Sequence, residues 1–348
     1  MSRKLLSYTA LGLILGNAAI ADVPKVAVDI APVHSLVSRV MEGVGSPKLI
    51  IPAGASPHEY SLRPSEAKSL QDADMVIWMG EDLAPWMENS IEKLAKNAEV
   101  ITLLEASETK LLDYREGALF EEHDHGDHDD HDDHDDHDHD KDHDDHDDHD
   151  DHDDHDHDKD HDDHDDHDDH DDHAGHDHGE HDPHAWLSIE NAQTWLNLVA
   201  GKLSAADPEN AGVYFGNAAA ARSEIEELSK EVNSILDPVR GRNFVVFHDA
   251  YQYFETSFDF PASGAISLGD ATDPSASRIA EIQGRVREEG INCVLSEPQY
   301  NPNLVETVLE GTDAKTGVID PLGVNLEPGP KLYGDLIRNM AKSLAGCL

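Results

Sequence analysis

Short apolar runs alternate with stretches of helical periodicity along most of this chain. Residues 26–30 read as a strand, 33–41 as a helix and 48–51 as a second strand. A short helix at 64–70, a strand at 74–79, a helix at 83–98 and a strand at 100–103 continue the pattern. After residue 183 it resumes: 187–203 reads as a helix, and a second helix opens at Asp207 and runs to about 235, with Ala218, Ala221, Ile225 and Leu228 on one side. The last third repeats the alternation, with strands at 244–247, 291–295 and 316–319. Helices are expected from the residues after His248 through Phe254, and at 275–289, 302–309 and 332–344.

Strands alternating with helices predict an α/β fold of mostly parallel sheets with helices on both faces. The unusually long helix past the middle suggests a rigid connector between two lobes, with a ligand cleft between them. The boundaries so read are a leader at 1–21, a first lobe at 22–207, a linker helix at 208–237 and a second lobe at 238–348.

Between the two patterned regions lies a stretch with neither period. Residues 123–181 hold 21 of the 25 histidines with 31 Asp, one Glu and two Lys, and Ala174 is their only apolar side chain. The run 138–152 recurs at 156–170, largely as His-Asp-Asp triplets. So polar a segment buries too little surface to offset its ordering entropy, so a disordered insert at 121–181 within the first lobe is expected. The insert also changes the reading of charge. The chain carries a formal −49, but residues 123–181 account for −30, leaving −19 for the remainder. An acidic surface excludes a nucleic-acid partner and a basic face for anionic lipid.

The two ends add a compartment. Arg3 and Lys4 precede a largely apolar run to Leu15, and Ala19-Ile20-Ala21 is a small-x-small cleavage pattern, so export with a mature start at Asp22 is expected. No later stretch approaches 18 consecutive apolar residues, and no cysteine near the cleavage pattern offers a lipid attachment point. Cys293 and Cys347 are the only cysteines, and an even pair in an exported chain reads as a disulfide tying the last helix to the second lobe.

Outside the insert only His34, His58, His184 and His248 remain. His58, His184 and His248 fall in loops or at a strand end, where open α/β sheets bind ligands. Three neutral imidazoles favour a borderline metal such as zinc, copper or nickel over magnesium or calcium. Asp320, following the strand at 316–319, is the best candidate for a carboxylate completing a tetrahedral shell. Taken singly, each histidine has a structural or surface role as its default, and it is their shared loop placement that raises the metal reading.

Several segments together carry a resemblance. Gly54-Ala55-Ser56-Pro57-His58-Glu59-Tyr60-Ser61-Leu62-Arg63-Pro64-Ser65, residues 74–80, Asp182-Pro183-His184-Ala185-Trp186-Leu187-Ser188, Val246-Phe247-His248-Asp249-Ala250-Tyr251 and Asp320-Pro321-Leu322-Gly323 resemble, in order, the ZnuA-like cluster of metal-binding receptors. These are periplasmic zinc-binding components of ABC uptake systems. The resemblance implies a metal held between two lobes by His58, His184 and His248, with Asp320 as a ligand or close by. Histidine at the third position is similar to zinc receptors, where manganese receptors tend to have glutamate. One departure stands out: some zinc members carry a glutamate ligand immediately before the first histidine, and this chain has Pro57. Asp320 or a water would then fill the fourth position. Glu59 points away in an extended segment, and Glu297 is a weaker candidate for a residue behind the ligands.

The resemblance further implies a periplasmic receptor, not an enzyme, carrying Zn2+ as transported ligand to a membrane permease with its ATPase, and working as a monomer. The histidines of the insert, among them His123, His125, His128, His131, His134, His137, His173, His176, His178 and His181, would act as overlapping weak sites that raise local zinc concentration. Dense negative charge would attract the cation, and capture would weaken as falling pH protonates imidazole. Two rival readings are a zinc buffer or chaperone that never meets a transporter, and a zinc hydrolase. The second lacks a His-Glu-x-x-His helix.

Overall fold

Two four-stranded parallel sheets carry the fold. In the computed structural model the residues described are 23–115, 120, 181–267, 274–300 and 302–348. The expected leader, and the expected disordered insert apart from His181, lie outside them.

The first sheet contains β1 (Val26–Val28), β2 (Lys48–Leu49), β3 (Met75–Trp78) and β4 (Glu99–Thr102), in the order β2-β1-β3-β4. Parallel neighbours need crossovers, supplied by α1 (Ala31–Val40), α2 (Pro64–Gln71) and α3 (Pro85–Leu94). Prolines near the first helical positions of all three fix where they start. This explains why α3 begins at Pro85 rather than 83. At α2 the Glu66 carboxylate accepts from the Arg63 backbone N–H at 2.7 Å and from the Tyr60 hydroxyl at 2.9 Å, steadying the chain just after His58.

Beyond the insert, α4 (Ile189–Ala206) is capped by the Ser188 hydroxyl, which accepts from Asn191 N–H at 3.1 Å. The long helix α5 (Ala211–Leu236) spans about 39 Å at 1.5 Å per residue. It starts four residues later than its sequence period suggests. Pro208 begins a 3-10 turn, and Asp207 accepts from Asn210 at 2.7 Å and Tyr214 at 2.8 Å instead of entering the helix. Tyr214, Ala218, Ala221, Ile225, Leu228, Val232 and Leu236 form one buried stripe. That stripe packs on α1, α4 and, after the second sheet, the final helix, so the connector is supported along its length.

The second sheet holds β5 (Phe244–His248), β6 (Gly264–Ser267), β7 (Cys293–Ser296) and β8 (Lys315–Val318), in the order β6-β5-β7-β8. Its helices are α6 (Gln252–Phe258), α7 (Ala276–Glu288) and α8 (Pro302–Leu309), and α9 (Leu332–Cys347) closes the chain. β6 was not expected from the sequence. Gly-Ala-Ile-Ser has one β-branched apolar residue and becomes a strand only by pairing with β5 at the sheet edge. Among the described residues no helix is long and apolar enough to cross a membrane.

Cys293 at the start of β7 and Cys347 at the end of α9 form the expected disulfide, with Cα atoms 5.8 Å apart and a sequence separation of 54. Gly317 lets this approach happen, since a Cβ there would stand 3.2 Å from the Cys347 sulfur. Replacing both cysteines by alanine is expected to lower stability by about 2–4 kcal/mol, read from denaturant midpoints. An unchanged midpoint would show that α9 holds without the bond.

Asp29, just past β1, is fully buried and accepts from Ile30 N–H and Met79 N–H, both at 2.7 Å, joining the carboxyl ends of β1 and β3. Burial outweighs these bonds and pushes its pKa up to about 7. A raised acid binds its proton more tightly when folded, so its contribution to stability falls as pH rises from about 4 to 7. Asp29→Asn is expected to flatten the stability profile in that window by up to about 1.4 kcal/mol per pH unit. Thermal melts at several pH values check it.

Candidate metal centre

Strand register builds half of this centre. β5 and β7 are adjacent and parallel, with Val246 opposite Leu295, so two residues further on His248 at the end of β5 comes beside Glu297 past β7. Glu297 Oε1 lies 2.6 Å from His248 Nδ1, and both side chains are buried. The other half comes from the first sheet's side of the chain. Asp182 Oδ1 accepts from the His184 backbone N–H at 2.9 Å and stands 2.7 Å from His184 Nδ1. This turn closes immediately before the 3-10 turn at Ala185–Leu187.

Each carboxylate fixes the tautomer of its imidazole. An ionised carboxylate only accepts, so Nδ1 carries the proton and Nε2 keeps its lone pair. The two Nε2 atoms face each other at 3.4 Å. Two neutral nitrogens so placed cannot hydrogen-bond when both are acceptors; the pairing suits a cation that both could bind. Carboxylate–histidine pairs of this type hold metal-binding imidazoles in orientation and raise their basicity.

His58 completes the cluster from the loop after β2. Its ring centroid is 5.5 Å from that of His184, which is 5.2 Å from that of His248. The loop is pinned by the Trp86 indole, which donates to the Pro57 carbonyl at 2.8 Å, and Tyr60 packs edge-on against Trp86. Trp186 donates to the Pro321 carbonyl at 2.9 Å across the cleft. The cavity lined by Ser56, Pro57, His58, His184, Trp186, His248, Glu297, Gln299, Tyr300, Pro321 and Leu322 has a volume of about 20 Å3. A single water needs roughly 10–15 Å3. The space suits an ion with one small ligand. Among the described residues no three or more His, Cys, Asp or Glu side chains are arranged, as they stand, to hold a metal ion.

The structure brings His58, His184 and His248 together but leaves Asp320 out. Its Oδ1 accepts from Leu322 and Gly323 N–H at 3.0 and 2.9 Å, and Oδ2 from Val324 N–H at 2.7 Å. Those bonds shape the loop that carries Pro321 and Leu322 to the cavity, and Asp320 itself is not in the cavity wall. Glu59 is exposed and also outside. His34 is a core residue, with Nε2 at 3.3 Å from the Pro47 carbonyl and burial lowering its pKa. Of the insert's histidines only His181 is described. Its Nδ1 lies 2.9 Å from Asp113 Oδ1, beside the backbone bond from Asp182 N–H to the Leu112 carbonyl.

Asp182 behind His184 was missed by sequence reasoning, whereas Glu297, named there only as a weaker candidate behind the ligands, does stand behind His248. The Asp-x-His spacing was the available signal for the first, whereas the pairing of the second with His248 follows from strand register. Tyr251 lies near Glu297, Asp320 and Tyr300 without a hydrogen bond of good geometry, and burial, followed by the Glu297 charge, raises its pKa well above the usual phenol value.

Residues 26–347 match the family described as zinc-uptake complex component A, periplasmic. The high-affinity zinc uptake system protein ZnuA of Paracoccus denitrificans is 47% identical over 98% of each chain. Its counterpart in Brucella abortus is 44% identical over 96% of this chain and 94% of that one. A solved ZnuA deletion mutant with zinc bound shares the fold at a TM-score of 0.67 and 19% identity, over 94% of this chain and 98% of that one. The chain belongs to the family of periplasmic zinc-uptake component A proteins.

Proposed function

We propose that this protein captures Zn2+ in the periplasm on His58, His184 and His248 and hands it to the permease of an ABC importer driven by its ATPase. The observation that carries the reading is the pair of facing Nε2 atoms, each backed by a buried carboxylate on Nδ1. Imidazole donors select a borderline cation over magnesium or calcium. The cavity of about 20 Å3 fits cargo better than the reacting groups of a hydrolase.

The test is a zinc titration of chelator-stripped protein against a competing chelator, followed by stimulation of ATP hydrolysis by the importer in vesicles. One tight equivalent and zinc-dependent stimulation are expected. Tight binding without stimulation would favour a zinc buffer instead. Residues 123–181 serve as an auxiliary collector in this reading: deleting them is expected to remove additional weak equivalents and leave the single tight one. An unchanged stoichiometry, or loss of the tight site, would sink the collector role.

A further inference from the structure

The three imidazoles leave one place in a tetrahedral zinc shell, and the nearby carboxylates are committed elsewhere. Asp182 and Glu297 hold the Nδ1 atoms of His184 and His248, and Asp320 holds three backbone N–H groups. Residue 57, next to the first imidazole, is proline and has no donor to offer. Gln299 differs from all of these. Its side chain is in the cavity wall, and both its amide oxygen and its amide nitrogen are buried without a hydrogen-bond partner. A buried polar atom left unsatisfied costs about 1–3 kcal/mol, so such an amide beside the histidine-lined cavity calls for a polar ligand.

We propose that Gln299 is a positioning residue that holds a water molecule in the fourth coordination place of the bound zinc. The inference rests on the three-histidine reading above. A metal-bound water has acidic protons, for which the amide oxygen is a suitable acceptor. Direct ligation by that oxygen is disfavoured, because neutral amide oxygen suits calcium while zinc prefers imidazole, thiolate or carboxylate. The volume agrees, since about 20 Å3 accommodates an ion and one small molecule. A water in this place also gives the site an exchangeable position. A receiving site can enter there and take the ion by stepwise substitution, without three imidazoles releasing it at once.

The full chain loaded with Co2+ as a spectroscopic stand-in for zinc tests this, with azide as the probe of the exchangeable position. The wild-type visible spectrum is expected to shift on azide addition as the anion displaces water. Gln299→Leu is expected to lower zinc affinity about 10–100-fold and to change azide affinity by a similar factor. It should leave the metal-free melting temperature unchanged or raised, where loss of a merely structural contact would lower it. Gln299→Glu keeps an acceptor oxygen and is expected to return zinc affinity to within about tenfold of wild type. An azide-insensitive wild-type spectrum, or unchanged zinc affinity in Gln299→Leu, overturns the role of Gln299. If the wild-type protein has no tight zinc site, the three-histidine reading fails along with it.

Discussion

Alanine at position 184 is expected to abolish the tight zinc site, with affinity falling on the order of a thousandfold, or about 4 kcal/mol. The imidazole of His184 is the middle member of the cluster, adjacent to both His58 and His248. Its loss leaves two donors from opposite sides of the cleft and no means of closing a tetrahedron. Asp182→Asn should be milder, at about 10–100-fold, because the carboxylate orients the ring without touching the ion. The graded pair matters more than either variant alone. A bystander histidine would give equal and small effects, whereas a ligand backed by an orienting carboxylate gives a large loss and an intermediate one. Isothermal titration against a competing chelator measures both, and far-UV circular dichroism of the metal-free proteins guards against misfolding. Wild-type affinity in His184→Ala would remove the central claim.

How much of this was legible in the sequence depended on whether the cause was local. Strands such as β3 and helices such as α8 follow from apolar periodicity, and α8 has the bounds expected of it, Pro302–Leu309. β6 was illegible because its strand character comes from pairing with β5 and not from its own residues. The histidines stood out once the insert was set aside, since few imidazoles remained and their loops lay at strand ends. Asp320 attracted attention for the same positional reason, yet an aspartate after a strand can equally cap its own loop, as the three backbone bonds of Asp320 do. Glu297 was named as a weaker candidate, but its partner was not legible. Forty-nine residues separate it from His248, and only the register of two parallel strands makes them neighbours. The insert, conspicuous as it is, says nothing about which residues form the tight site.

Arg115→Met is expected to destabilise the protein by about 3–5 kcal/mol, the range found when one partner of a buried ion cluster is removed. Arg115 lies between β4 and the insert and reaches two acids of the second sheet's side. Its Nε donates to Asp249 Oδ2 at 3.0 Å, its Nη2 donates to Asp249 Oδ1, and its Nη1 donates to Glu255 Oε2 at 2.8 Å. The Phe120 ring covers the guanidinium at 3.5 Å. Burial pushes the pKa values of Asp249 and Glu255 upward, and the guanidinium pulls both back. Without it they rise further. Acids whose folded pKa lies above the unfolded value lose stability as pH climbs from about 4 through the folded value. The deficit of Arg115→Met relative to wild type is therefore expected to be small in acid and to widen toward neutral pH. Adding Asp249→Asn and Glu255→Gln should recover much of it, because an ion cluster replaced as a whole costs far less than one left unpaired. Equal deficits at pH 4 and pH 7 would mean that packing against Phe120, and not charge, is what Arg115 contributes. The zinc readout separates structure from function at the same place. Asp249 follows His248 directly, so a loosened cluster should weaken zinc binding by displacing one proposed ligand slightly. That loss is expected to stay well below the thousandfold of His184→Ala, since all three imidazoles are still present to close on the ion.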